Sequence, residues 1–296
     1  MSLQRIQYSD WMDSEVEVYM KRDDLLHPMV SGNKFRKLKY NLHRAQEEKH
    51  HTVLTYGGAY SNHIAATAAA CKLLGLKSVG VIRGEELKFK ILENPTLRFA
   101  HEQGMSFEFI TRTQYREKET LKFHEKYGDY YEIPEGGTND LAVLGCEEIL
   151  LEESKNDFDF VAVACGTGGT ISGMIRASNE RQTILGFPAL KGAGFLNKII
   201  QNYTDKDNWK LIEDYHFGGY AKFNKNLITF INSFKRETDI PLDPVYTGKM
   251  LYGIDDMIKK RLIPNGSKLL LIHTGGLQGI EGFNKLLKQK NQQTIL

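Results

Sequence analysis

The chain has 296 residues, 41% hydrophobic and 26% charged, which suits a soluble globular protein with a core large enough for two lobes. Its 39 basic and 37 acidic side chains leave a formal charge of +2, so no nucleic-acid partner is expected. Cys71, Cys146 and Cys165 form no CxxC pair, and neither the Met-Ser-Leu-Gln-Arg start nor any apolar run approaching ~20 residues suggests a signal peptide or a membrane span; a cytoplasmic protein with no disulfide framework, no metal and no membrane partner is expected.

Along the chain, strand-like runs alternate with helical ones. Thr52–Tyr56 reads as a short buried strand, followed by an alanine-rich helix from Ile64 to Leu74 that Gly75 stops. Ser78–Ile82 is the next strand, Thr96–Gln103 a helix closed by Gly104, and Phe107–Ile110 a third strand before a polar helix from about Tyr115 to Tyr127. The rhythm resumes with strand Phe158–Ala164, a glycine-rich turn, a helix over about Ile171–Asn179, a strand-like Ile184–Phe187, and the apolar strand Lys268–His273. This βαβα order predicts an α/β fold with parallel sheets flanked by helices. No repeat, low-complexity segment or long Gly/Ser linker interrupts it. Two lobes would be joined by short crossings near residues 42 and 151, giving a small domain over 42–151 and a large one from 1–41 and 152–296.

Open parallel sheets bind ligands beyond the carboxyl ends of their strands. Three glycine turns fall there: Gly57-Gly58, Gly166 to Gly169, and Gly275-Gly276. In Cys165-Gly-Thr-Gly-Gly-Thr170, several backbone N–H groups and the helix dipole can converge on one anion, and Thr167 and Thr170 can add hydroxyl donors. The same turn also reads as a tight connection that merely packs well. It lacks the GK[ST] of a P-loop and the third glycine of the dinucleotide motif, so one monophosphate suits it better than a pyrophosphate. In Gly57-Gly-Ala-Tyr-Ser-Asn-His63, Ser61 and Asn62 are good helix caps, and two caps after two glycines hint that one faces a ligand. Lys34, just after Gly-Asn at a helix start, opposes the helix dipole, and burial there would make its amine nucleophilic. Read alone, Lys34 is a surface lysine, as are its neighbours Lys37 and Lys39; the basic runs Lys34–Lys39 and Lys285–Lys290 read as solvated helix faces.

Taken together, KRDD…SGNKFRKL, GGAYSNH, PEGGTN, ACGTGGT, DPVYTGKM and HTGG, in that order over about residues 18–280, resemble the ACC deaminase/D-cysteine desulfhydrase family of fold-type II pyridoxal-phosphate (PLP) enzymes. The resemblance implies two open twisted sheets with PLP in the cleft between lobes, the large domain holding it, and a homodimer. It makes Lys34 the Schiff-base lysine, sets Asn62 on the cofactor's phenolic oxygen, and turns Ser61 to the substrate. Gly166, Thr167, Gly168, Gly169 and Thr170 would cradle the phosphate. Tyr246 and, more loosely, Tyr220 match the family's active-site tyrosines, with Tyr60, Ser61, Asn62, His63 and Tyr220 on the substrate side.

ACC deaminases resemble DPVYEGK, with a glutamate at the pyridine nitrogen and a leucine in the last glycine turn. Here Thr247 and Thr274 stand at those places, as in the desulfhydrase branch. A hydroxyl leaves the ring neutral, which suffices for α-proton removal and loss of a good β-leaving group but disfavours cyclopropane opening. The implied reaction is α,β-elimination on a small amino acid such as D-cysteine. Lys34 would be the base, with Ser61 as alternative; Tyr246 and His63 would relay a proton, although His63 reads equally as a structural histidine. ACC deamination, elimination from D-serine or β-chloro-D-alanine, and a non-catalytic phosphate or PLP binder are the rival readings. Tyr60 replaces the family's usual Gln, which alters the substrate side of the pocket.

Overall fold

The computed structural model describes residues 3–153 and 157–296. In chain order these form β1 (Leu3–Arg5), β2 (Glu17–Lys21), α1 (Asn33–Glu47), β3 (Thr52–Gly57), α2 (Asn62–Leu73), β4 (Lys77–Arg83), α3 (Pro95–Glu102) and β5 (Ser106–Ile110). There follow α4 (Arg112–Arg116), α5 (His124–Tyr127), β6 (Tyr131–Ile133), α6 (Asp140–Leu151), β7 (Phe160–Cys165), α7 (Gly169–Ala177) and β8 (Thr183–Pro188). The chain ends with α8 (Phe195–Gln201), β9 (Trp209–Leu211), α9 (Lys225–Thr238), α10 (Thr247–Lys259), β10 (Lys268–Ile272) and α11 (Gly279–Gln289).

The strands make two sheets, one of six in the order β1-β2-β10-β7-β8-β9 and one of four in the order β5-β4-β3-β6. Every pairing is parallel except β1 with β2, as the alternating pattern predicts. Parallel strands covered on both faces must be apolar on both. In β10, Leu269 and Leu271 enter one core while Leu270 and Ile272 enter the other, so the run that looks continuous in sequence serves two opposite faces. Among the described residues, no helix is long and apolar enough to cross a membrane.

One expected element is corrected. The polar helix over 115–127 is instead α4 and α5, with a short 3-10 turn at Lys118–Thr120 between them. A capping box between Thr111 and Gln114 starts the first helix early, and Leu121 then turns extended at φ −77°, ψ 139°. That break lets Leu121, Phe123 and Tyr127 all pack on the core patch of Tyr115 and Tyr130.

Helix α6 packs tightly between α1 and α7. A Cβ at Gly145 would lie 2.1 Å from the Arg36 carbonyl oxygen, and one at Gly173 would lie 2.4 Å from that of Val143. Behind this stack lies a buried ionic knot. The Arg36 guanidinium, 2% exposed, bonds both oxygens of Asp23 (3.1 and 3.2 Å) and both of Glu152 (2.6 and 2.7 Å). Lys21 reaches Glu152 at 2.9 Å and Glu153 at 2.8 Å. Against burial, which raises it, the bonds from Arg36 and Lys21 hold the Glu152 carboxyl down at about 2.

Because backbone cannot yield to a new methyl, Gly145→Ala is expected to cost about 1–3 kcal/mol by overpacking. The check is a lowered denaturant midpoint at unchanged m-value. Gly194→Ala, with no atom within 4 Å of the added carbon, should leave the midpoint unmoved.

Candidate active site

The carboxyl ends of β3, β4, β6, β7 and β10 open on one cavity of about 520 Å³. Its floor begins at Gly32, whose φ is +62° and whose Cα is pressed so near β10 that a side-chain carbon would sit 1.9 Å from the Thr274 carbonyl oxygen. The Asn33 N–H donates to that same oxygen at 3.3 Å. Helix α1 is thereby seated on the end of β10, and its first turn carries Lys34 into the cavity.

Two lysine side-chain nitrogens share one acceptor there. Lys34 Nζ and Lys37 Nζ each donate to the Gly136 carbonyl at 3.1 Å. Lys37 also donates to Thr138 Oγ1 at 3.0 Å and Thr167 Oγ1 at 3.4 Å. Neither lysine has a carboxylate partner among the described residues. Lys37, expected at the surface, is 2% exposed; Lys39 is exposed as expected. The reason is periodicity: residues i and i+3 share a helix face, so Lys37 follows Lys34 inward. Lys34 as a whole is only partly buried, yet its amine lies deep enough that burial, and then the nearby Lys37 charge, push its pKa well below the usual lysine range. Burial lowers that of Lys37 as well.

The second half of the site is the turn after β7. Gly168 adopts φ +86° and caps α7, whose first N–H groups have no helical acceptor. Thr167 Oγ1 lies 2.6 Å from Thr138 Oγ1, and Thr170 Oγ1 accepts from Asn33 Nδ2 at 2.9 Å. Gly166, Thr167, Gly168 and Thr170 border the cavity, whereas Gly169 stands behind it, its open side against Thr138 and Lys37. A helix N-terminus, two hydroxyls and a buried cation without a counter-ion fit a phosphate monoester.

On the opposite wall, Ser61 caps α2, accepting from the Ile64 N–H at 3.3 Å, and Asn62 makes no side-chain hydrogen bond within the described residues. His63 is buried. Thr55 gives its only hydroxyl proton to the Ile133 carbonyl, so His63 Nε2 must donate to Thr55 Oγ1 (2.8 Å) and Nδ1 carries the lone pair. Nδ1 is buried without a partner among the described residues. Burial, and then Lys34 and Lys37, push the imidazole pKa well down, so the ring is neutral and can only accept at Nδ1.

Tyr246 lies over the glycine turn, its ring 3.3 Å from where a Gly166 side chain would begin, and edge-on to Tyr220 at 6.1 Å. Burial, then Tyr220, raises the Tyr246 pKa well above the usual phenol range. Tyr60 turns to the rim, where its ring and Pro95 flank Gly282 of α11. Thr274 borders the cavity, but Thr247 does not. The Thr247 hydroxyl donates to Asp243 Oδ1 at 2.8 Å and accepts from the Asp243 N–H at 2.9 Å, with no exposed surface. In this structure the local turn, and no cavity contact, engages the Thr247 hydroxyl that the resemblance sets at the ring nitrogen.

Sequence reading missed Lys37, Gly136, Glu135 and Arg83. The PEGGTN turn gives Gly136 its role, since φ of +69° and +73° at Gly136 and Gly137 shape the turn that presents the shared carbonyl. Arg83 ends β4, lies 3.6 Å from the open side of Gly58 and over the Tyr115 ring, and has no carboxylate partner among the described residues. Glu135, the cavity's one acid among those residues, pairs with Lys118 at 3.3 Å.

A family model described as pyridoxal-phosphate dependent enzyme matches residues 5–275. The chain is 33% identical to the bifunctional D-cysteine desulfhydrase/1-aminocyclopropane-1-carboxylate deaminase of Arabidopsis thaliana, covering 89% of this chain and 73% of that one. It is 28% identical to a D-cysteine desulfhydrase of Klebsiella pneumoniae over 90% of this chain and 89% of the relative. A solved ACC deaminase homologue superimposes with a TM-score of 0.83 at 29% identity, covering 97% of this chain and 93% of the other.

Lysines whose native pKa is depressed bind fewer protons than in the unfolded chain, whose lysines titrate near 10.4. The unfolded state therefore gains protons as pH falls below about 10.4, and stability drops until the native values are reached. Melting of the ligand-free protein should show this loss between pH 10 and 7. Inorganic phosphate should restore part of it at pH 7 in the wild type, and much less in Lys37→Met.

Proposed function

The chain belongs to the pyridoxal-phosphate dependent enzymes of the ACC deaminase/D-cysteine desulfhydrase group, and we propose that it performs α,β-elimination on a small D-amino acid, D-cysteine foremost, to pyruvate, sulfide and ammonia. The observation that carries this reading is the pair of lysines without a carboxylate between a glycine turn and a free carboxamide. The residues present fit the cofactor. Lys37, Thr167, Thr170 and the α7 N-terminus would hold the phosphate, Lys34 the aldehyde carbon, Asn62 the phenolic oxygen, and Thr274 the ring nitrogen. When bound, PLP supplies the electron sink that stabilises negative charge at the substrate's α-carbon.

The protein's own groups then divide the remaining work. The α2 N-terminus, with Ser61 and Asn62, seats the substrate carboxylate, and Arg83 adds a cation at the mouth. Lys34, whose buried position disfavours its charged form and so lowers its pKa, takes the α-proton. Ser61 ranks behind it, since its oxygen already caps Ile64 and no partner stands ready to receive its proton. Tyr246 stays a neutral phenol and donates to the departing sulfur. His63 Nδ1, an acceptor only, is left to take a hydrogen bond from a bound molecule.

The proposed reaction class rests on what would face the ring nitrogen. Opening a cyclopropane that has no α-proton calls for a carboxylate that keeps that nitrogen protonated. With Glu135 committed to Lys118, the cavity offers the hydroxyl of Thr274, which suits the less demanding loss of a thiol.

The test is a panel of D-cysteine, D-serine, β-chloro-D-alanine and ACC, with pyruvate measured and the absorption spectrum recorded alongside. Pyruvate should form from D-cysteine and not from ACC. Turnover of ACC alone overturns the elimination, and a yellow protein inert to all four is a binder. Lys34→Ala should lose the yellow band and about 10²–10⁴-fold in rate, the range of a general base.

A further inference from the structure

Lys249 lies on α10 one turn beyond Tyr246 and is 2% exposed. Among the described residues its ammonium meets only backbone carbonyls: Gly219 at 2.7 Å, His216 at 2.9 Å and Ala189 at 3.4 Å. The segment it grips is strained. Phe217, Gly218, Gly219 and Ala221 all have positive φ, at 56°, 94°, 123° and 54°. Two of these four are L-residues in the left-handed region, a conformation that persists only where surroundings impose it. Tyr220 sits inside this segment, and its ring meets Tyr246 at the cavity.

Carbonyl oxygens that converge on one point repel one another, and an ammonium placed there offsets that repulsion best. We propose that Lys249 is a positioning residue: its ammonium clamps the 216–221 segment and so holds Tyr220 against Tyr246 over the glycine turn, and loss of its proton releases the segment. A neutral amine has two N–H groups for three carbonyls and turns its lone pair on the third. Burial lowers the Lys249 pKa to about 8, with the Asp243 charge the opposing influence. No acid among the described residues bonds the ammonium, because Asp243 spends its carboxylate on the N–H groups of Val245, Tyr246 and Thr247 and on the Thr247 hydroxyl. The other titratable groups around it are engaged elsewhere: His216 Nδ1 accepts from the Gly218 N–H, Tyr215 donates to Asp256, and Tyr220 and Tyr246 face each other.

The inference rests on the proposed function only in making Tyr220 part of the substrate cavity, so its first test does not use turnover. Hydrogen exchange of the full chain is followed at pH 7 and 9.5, corrected for intrinsic rates, in residues 216–221 and in β10 as reference. In the wild type, protection of 216–221 should fall about tenfold at pH 9.5 while β10 is unchanged, the signature of a local opening. Lys249→Arg, charged at both pH values, should keep protection at both, and Lys249→Met should lack it at both. Equal protection at the two pH values in the wild type overturns the clamp, and so does a matching pH loss in Lys249→Arg. If Lys249→Met does not fold, the wild-type and arginine profiles still decide. With any substrate of the panel that turns over, kcat/KM should fall above pH 8 in the wild type and not in Lys249→Arg. Failure of the elimination reading leaves the exchange result standing.

Discussion

A buried guanidinium on the far side of α1 fixes where the two cavity lysines point. Arg36 lies two residues from Lys34, about 200° around the helix, so the carboxylates of Asp23 and Glu152 hold one face of α1 while the lysines occupy the other. Buried ion pairs are weak sources of net stability, but breaking one is costly, so they specify a geometry more than they deepen a well. Here that geometry is the angle at which α1 meets α6 and the cavity. Charge is sorted by the helix: acids neutralise Arg36 and Lys21 behind it, and among the described residues no carboxylate pairs with Lys34 or Lys37 in front.

The glycines complete what the knot begins. Gly32 lets α1 start against β10, Gly145 lets α6 close on α1, and Gly168 turns the chain from β7 into α7. At Gly32 and Gly145 a single methyl would strike backbone, and at Gly168 the φ of +86° favours glycine. Tight backbone contacts of this sort leave few ways for the site to deform, which is the condition for a preorganised electrostatic environment.

Most of the frame was legible in the residues because parallel strands buried on both faces write themselves as short apolar runs. Thr52–Tyr56 and Lys268–His273 were read nearly to their ends for that reason. The glycine turns were legible because their position after such runs carries topological meaning. The misreadings have a common physical origin: they depend on what a side chain meets across the fold. Lys37 looks like part of a solvated basic run until its helix face is known. Thr247 looks available until Asp243, four residues earlier, takes its hydroxyl. The helix expected at 115–127 fails because three apolar side chains need a core patch that one continuous helix would not let them share. Arg83 could be suspected only once the end of β4 was seen to face the same cavity as the end of β3.

The partition of the cavity between two sheets bears on how such a protein changes over generations. The proposed grip on the cofactor comes chiefly from the six-stranded sheet and α1, tied together through Gly32 and the Thr274 carbonyl. The proposed seat for the substrate comes from the turn after β3 and the end of β4, in the four-stranded sheet. Substitutions at Tyr60 or Arg83 can therefore drift without disturbing the contacts around Lys34 and Lys37. A lineage built this way can exchange one amino acid for another as its substrate while the older chemistry is inherited intact.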